Sequence, residues 1–129
     1  MTPVREVRFV LVVDDYDACV RLYRDVFGLE VRMDLEGDGG RGVILELPAA
    51  TLELADQQHG RIVDGIELGR PSEGRVRIAV EVDDLGDAAA WVTEAGAEPL
   101  AEPVETSWGD RNQRFRDPDG LQLTLYQAS

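Results

Sequence analysis

The 129-residue sequence predicts an α+β domain made of two βαβββ modules, whose curved mixed sheets surround a cleft. Three observations lead to this fold class. A β-branched strand followed by paired aspartates, an amphipathic helix and a glycine occurs twice along the chain. Equivalent residues of the two copies are separated by a constant number of positions, since Arg8 and Arg77 lie 69 apart, as do Asp15 and Asp84. Alternating apolar strands also precede and follow each helix.

The first module covers residues from about 5 to 56. Residues 7–13 are rich in β-branched side chains and predict a strand, after which Asp14 and Asp15 predict a helix start. The helix has apolar residues at the spacing of one helical face: Cys19, Leu22, Tyr23, Val26 and Phe27. Gly28 predicts its left-handed end. Further strands are predicted at 29–35, 43–47 and 51–56.

Residues 57–74 predict an irregular connector between the modules, because glycine and proline recur throughout this segment. His59 lies in the connector, where a solvated side chain is favoured over a functional one. We therefore expect a single domain over 1–129, with modules of about 5–56 and 75–127.

The second module repeats the pattern with a strand over 75–82, a helix over 85–95 and a stop at Gly96. Near its end, Asp117-Pro118-Asp119-Gly120 predicts a type I turn. A strand of strict alternation follows the turn. Its core face is predicted to carry Leu121, Leu123 and Leu125, and its opposite face Gln122, Thr124 and Tyr126.

The charge composition excludes some classes of partner. The formal net charge is −13, and all 13 basic residues are arginine. This balance argues against nucleic-acid binding and would steer a cationic ligand towards the protein. The sequence has no apolar run of transmembrane length and no signal-peptide core, so we expect no membrane partner. With Cys19 as the single cysteine, these features predict a cytoplasmic protein.

The strand faces opposite the helices predict a ligand site, because alternate side chains of curved strands can line a shared cleft. The ligand-binding residues predicted there are Arg8, Glu53, Arg77, Thr124 and Tyr126, joined by Trp108 from a loop beside Gly109. The Trp108 indole could stack on a flat ligand or anchor its loop. Glu53 could contact the ligand, or form a structural ion pair with Arg8 or Arg77.

The ordered set of a strand, Asp-Asp, a helix and Gly28, its repetition, Trp108-Gly109 and the Asp117–Gly120 turn resembles the glyoxalase/bleomycin-resistance/dioxygenase superfamily, also called the vicinal oxygen chelate superfamily. The resemblance covers nearly the whole chain. It implies paired βαβββ modules, assembled into a two-fold homodimer whose clefts bind ligand. The metal-ligand positions of the family's enzymes fall on Arg8, Glu53, Arg77 and Thr124. Only Glu53 could ligate a metal, so we expect neither a metal nor another cofactor.

Two functions are compatible with these residues. The first is a metal-independent binding protein, closest in character to the bleomycin-resistance proteins, that sequesters an aromatic or cationic natural product and gives drug resistance. The second is a metal-independent lyase or isomerase, in which Glu53 acts as base and Arg8 or Arg77 holds an oxyanion. A metal lyase with ligands at other positions is a third alternative. No nucleophile–base pair is legible in the sequence, so no catalytic residue is assigned.

Overall fold

The computed structural model describes residues 2–129. In this part of the chain, nine strands and three helices follow one another. They are β1 (Val4–Val13), α1 (Tyr16–Val20, continued as a π-helix over Arg21–Val26), β2 (Val31–Asp34), β3 (Gly42–Leu47), β4 (Ala50–Asp56), α2 (Gln57–Leu68), β5 (Val76–Val82), α3 (Leu85–Glu94), β6 (Glu98–Pro99), β7 (Val104–Glu105), β8 (Arg111–Arg116) and β9 (Gln122–Gln127). The α+β fold class predicted from the sequence is confirmed.

The strands form one open sheet in the order β2-β3-β4-β1-β5-β9-β8-β6, with β7 paired to β8. The two modules meet where β1 and β5 pair antiparallel, which places Arg8 opposite Ala79 and Val10 opposite Arg77. β4 pairs with β1 in parallel, and β9 pairs with β5 in the same way. The four strands predicted to carry the site are therefore consecutive neighbours in the sheet.

The helices divide between the two faces of this sheet. One core packs α1 against β3 and β4 and consists of Tyr16, Val20, Val43, Leu45, Leu52 and Leu54. The other packs α3 against β5, β8 and β9 and consists of Val82, Leu85, Ala88, Ala97, Phe115 and Leu125. Leu11 and Leu123 pack against these cores on the predicted side of their strands. α2 lies on the opposite face, where Gly60 approaches Val12 of β1.

The predicted caps and the late turn are confirmed. The Asp15 side chain accepts a hydrogen bond from the Ala18 amide at 3.1 Å. The equivalent bond in the second module runs from the Asp87 amide to Asp84 at 2.9 Å. In the late turn, the amide of Gly120 donates to the Asp117 carbonyl at 3.0 Å.

The prediction that residues 57–74 form an irregular connector was wrong, because most of them form α2. Asp56 caps the start of α2 by accepting from the His59 amide at 2.7 Å. The helix ends at Gly69, which has a φ of 72°. A glycine inside a helix costs up to about 1 kcal/mol relative to alanine, so tertiary contacts must stabilise this segment.

Some details of the second module also differ from expectation. The final strand is β9, the ninth rather than the eighth, since two very short strands precede β8. Trp91 on α3 is 51% exposed, which is unusual for so large an apolar side chain. No helix within residues 2–129 combines the length and apolar character needed to cross a membrane.

Candidate functional site

A cavity of about 320 Å³ lies between α2 and the sheet face that α1 and α3 leave uncovered. All six residues predicted to bind ligand line it: Arg8, Glu53, Arg77, Trp108, Thr124 and Tyr126. Strand alternation placed the five residues other than Trp108 on a common face, and the β4-β1-β5-β9 order brings them together. Their contact with a ligand remains a prediction.

One side of the cavity is apolar. α2 contributes the adjacent residues Ile62 and Val63, with Ile66 one turn further along the helix. Across the cavity, the sheet contributes Val10 of β1 and Ile44 of β3, and both are buried. A ligand that enters would exchange water for aliphatic contacts with these side chains.

The Trp108 loop forms an edge of the cavity. The Trp108 side chain is 48% exposed, and its Nε1 donates to Asp110 Oδ2 at 3.1 Å. The Thr106 hydroxyl accepts from the Asp110 amide at 3.0 Å, which closes the loop around Gly109 with its φ of 95°. The indole is thus held by its own loop while much of its surface stays open, so it can serve both as a loop anchor and as a stacking surface.

Glu53 is the carboxylate of the cavity lining whose pKa departs most from its ordinary value. Its side chain is only 13% exposed. The nearest cationic atoms lie beyond hydrogen-bond distance, with Arg8 Nη1 at 3.7 Å and His59 Nε2 at 3.9 Å. Burial raises the pKa of Glu53 to about 6, although the charge of Arg8 acts in the opposite direction.

Arg8 is held chiefly by Glu6, which lies two residues earlier on the same strand face. Its Nη2 contacts Glu6 Oε2 at 2.9 Å, and its Nε donates to Thr51 Oγ1 at 3.1 Å. The Tyr126 ring lies 5.3 Å from the Arg8 guanidinium carbon. The guanidinium is therefore oriented by the protein before any ligand arrives.

A buried ion-pair network fixes α2 on the second module. The Arg77 guanidinium lies 3.0 Å from Asp64 of α2, and Arg114 of β8 lies 3.2 Å from the same carboxylate. Arg114 also contacts Glu67 at 2.9 Å. Thr124 donates its hydroxyl to Glu67 at 3.1 Å. We call these five residues the Arg114 network.

The Arg114 network explains why Arg77 and Thr124 are buried. The ion pair of Glu53 was predicted with Arg8 or Arg77. It forms with Arg8, at 3.7 Å, whereas Arg77 has its counter-charge in Asp64. Burial, followed by the nearby charge of Arg114, lowers the pKa of Arg77. Two of the predicted ligand-binding residues therefore also have a structural role in holding α2.

The side chains at the four strand centres do not fit a divalent metal. Arg8 and Arg77 bring positive charge, and Thr124 already donates its hydroxyl to Glu67. Across residues 2–129, no three His, Cys, Asp or Glu side chains are grouped so that they could hold a metal ion.

The sequence pattern did not predict several residues of this site. His59, predicted to be solvated, is partly buried in the cavity wall, and burial lowers its pKa. A Cβ at Gly40 would lie 2.5 Å from the His59 backbone nitrogen, so the β2–β3 hairpin packs directly on α2. Asp64 and Glu67 fall three residues apart on α2, and that polar spacing was the available signal.

Comparison with known proteins agrees with the fold. The profile of the Glyoxalase/Bleomycin resistance protein/Dioxygenase superfamily matches residues 6–125. No curated protein sequence matches the chain. A superfamily member from Vibrio splendidus 12B01 superposes with a TM-score of 0.64 at 20% identity, covering 97% of this chain and 99% of that one.

Two methylmalonyl-CoA epimerases are also similar in structure. The enzyme from Mycobacterium tuberculosis gives a TM-score of 0.65 at 19% identity, covering 98% of this chain and 87% of its own. The Streptomyces coelicolor enzyme in complex with 2-nitronate-propionyl-CoA gives 0.65 at 22% identity, with 100% and 99% covered. Because both sequence identities are below 25%, these two similarities establish the fold alone.

One nine-stranded sheet, shared by both modules, forms the cavity together with α2, so the structure is an α+β scaffold with a cavity on one sheet face. The chain belongs to the Glyoxalase/Bleomycin resistance protein/Dioxygenase superfamily, as the matched profile over nearly its whole length shows.

Proposed function

We propose that this protein binds an aromatic or cationic natural product in the cavity and sequesters it without metal or chemical conversion. The observation that carries the proposal is the cavity itself, with an apolar wall on α2 and the half-exposed Trp108 at its edge. Its volume of about 320 Å³ is at the lower end of the range for small-molecule sites. Drug resistance through sequestration, as in the bleomycin-resistance branch of the superfamily, is the biological role we propose.

The pairing of the arginines around the cavity supports ligand binding over catalysis. Arg8, Arg77 and Arg114 each contact a carboxylate within 3.2 Å. An arginine already paired in the protein stabilises a developing oxyanion less well than a free one. The cytoplasmic location expected from the sequence remains part of the proposal.

The raised pKa of Glu53 favours a second candidate function, that of a metal-independent lyase or isomerase. A general base works best when its pKa lies near the working pH, and Glu53 has a pKa of about 6. Two of the structural neighbours described above are epimerases. In this alternative, Glu53 would remove a proton from a bound substrate.

Glu53→Gln separates the two functions. A panel of aromatic amines and neutral aromatic natural products would be incubated with each protein and followed by mass spectrometry. We expect every compound to be recovered unchanged from both proteins, since the arginines are paired and Glu53 serves as a binding group. Conversion over many turnovers, lost in Glu53→Gln while binding persists, would establish the enzyme and overturn sequestration.

We also propose a two-fold homodimer with equivalent ligand sites. Exposed apolar side chains support it, because Val26 and Phe27 at the end of the first helical segment are 67% and 61% exposed. Analytical ultracentrifugation at micromolar concentration is expected to give twice the mass of the 14.2 kDa chain. A single species at the mass of one chain would contradict the dimer.

A further inference from the structure

We infer that the cavity selects a ligand with a positive charge, and that the charged group of this ligand docks on Glu53. The inference rests on the proposed binding function and narrows its ligand class. Its basis is the pairing of the ionised side chains around the cavity, which leaves Glu53 without a dedicated partner.

The Arg114 network is balanced within itself. Arg77 and Arg114 supply two positive charges, and Asp64 and Glu67 supply two negative charges, with contacts of 2.9 to 3.2 Å. All four side chains are at most 6% exposed. An incoming anion would have to displace a buried carboxylate from an arginine, which leaves that carboxylate unpaired.

A second balanced group surrounds Arg8. Glu6 accepts from Arg8 at 2.9 Å and also pairs with Arg32, whose other partner is Glu46 at 2.6 Å. Arg8 and Arg32 are thus matched by Glu6 and Glu46. Burial acts against the charge of Glu6, yet hydrogen bonds from Arg32, Thr51 and Arg8 leave its pKa lowered.

Glu53 is the carboxylate that these pairings leave over. In the described part of the chain it accepts no side-chain hydrogen bond, and its closest cation is the already paired Arg8 at 3.7 Å. The groups around it are Arg8 from β1, Arg77 from β5, and Glu67 and His59 from α2. A partly buried carboxylate without a dedicated partner is costly, and a cationic ligand group would supply the missing charge.

The remaining charged residues that line the cavity are negative, as Glu53 is. Glu36 and Asp38 from the β2–β3 hairpin, and Asp110 from the Trp108 loop, are the other acids that line it. These groups attract cations and repel anionic molecules such as acyl-CoA thioesters. The selectivity expected here therefore differs from that of the epimerase bound to 2-nitronate-propionyl-CoA.

Three matched probes test the inference: 2-naphthylmethylammonium, the neutral 2-naphthylmethanol and the anionic 2-naphthoate. Each would be titrated into ¹⁵N-labelled protein, with the amide shifts reporting both affinity and location. We expect the ammonium to bind about tenfold or more tightly than the alcohol, and the carboxylate to bind most weakly. In Glu53→Gln the advantage of the ammonium is expected to disappear.

Glu94→Gln is the matched control, because this exposed carboxylate lies on α3 at the other face of the sheet. It removes the same charge and should leave the ammonium preference intact. Equal binding of ammonium and alcohol at the cavity would overturn the charge inference and leave the proposed binding function standing. No shift of cavity amides with any probe would overturn both.

The pH profile provides an independent arm of the same experiment. Glu53 is ionised above its pKa of about 6, so the ammonium should bind fully near neutral pH and lose affinity as the pH falls through that value. Protonation of His59 at low pH acts in the same direction, because it adds positive charge 3.9 Å from Glu53. An ammonium affinity that stays constant over this range would contradict docking on Glu53.

Discussion

Arg114→Met is expected to lower the free energy of unfolding by about 3–5 kcal/mol, the usual cost of breaking a buried ion pair from one side. Arg114 has no exposed surface and contacts both Asp64 and Glu67. Methionine fills a similar space but leaves these two carboxylates without one of their partners. Chemical denaturation followed by circular dichroism measures the change.

Arg116→Met is the control for this prediction. Arg116 lies two residues further along the same strand, but it is 47% exposed and its contact with Glu98 is 3.7 Å long. Exposed pairs of this kind contribute about 0–1 kcal/mol. Similar losses in both variants would show that the buried network stabilises the fold no more than an exposed ion pair does. Arg114→Met combined with Glu67→Gln should recover part of the stability lost in the single variant.

Trp108→Ala is expected to weaken binding of the naphthylmethylammonium probe by about tenfold or more. An aromatic stacking partner contributes on the order of 1 kcal/mol beyond the area that it buries, and several with that area included. Because Trp108 is a half-exposed residue of a loop, its removal should leave the fold intact. The NMR titration described above gives the affinity, and the amide spectrum reports the fold.

Trp91→Ala separates stacking from a general effect of losing an indole. Trp91 is exposed to a similar extent, 51% against 48%, but lies on α3 outside the cavity. Its replacement should leave probe affinity unchanged. Equal affinity for Trp108→Ala and the wild-type protein would leave loop anchoring, through the indole bond to Asp110, as the role of Trp108.

Much of the fold was predictable because its signals are local. Side chains alternate along a strand whatever its partners, so Arg8, Arg77 and Thr124 could be assigned to one face before the sheet order was known. The aspartate caps and the turn at Gly120 depend only on neighbouring residues. These elements were placed to within a few residues of their observed bounds.

α2 was not predictable from local signals, because its stability comes from distant residues. Its glycines disfavour a helix, and its buried face carries Asp64 and Glu67 where apolar residues are the norm. Their partners, Arg77 and Arg114, lie 13 and 47 positions further along the chain for the respective contacts. Only the packed structure reveals that a polar helix face meets a polar sheet face.

The partner of Arg8 was missed for a different reason. Glu6 lies on the same strand, two positions before Arg8, and therefore on the same face. The predicted strand began at residue 7, so Glu6 was left outside the site. The observed β1 begins at Val4 and includes it.

Native mass spectrometry of the protein with bound ligand tests sequestration most directly. After incubation with the panel of aromatic amines and neutral compounds, we expect a complex with one ligand per chain, and release of that ligand with its mass unchanged. Trp108→Ala should reduce the fraction of the complex, whereas Trp91→Ala should not. Accumulation of a ligand-derived product over many turnovers, abolished by Glu53→Gln, would contradict sequestration.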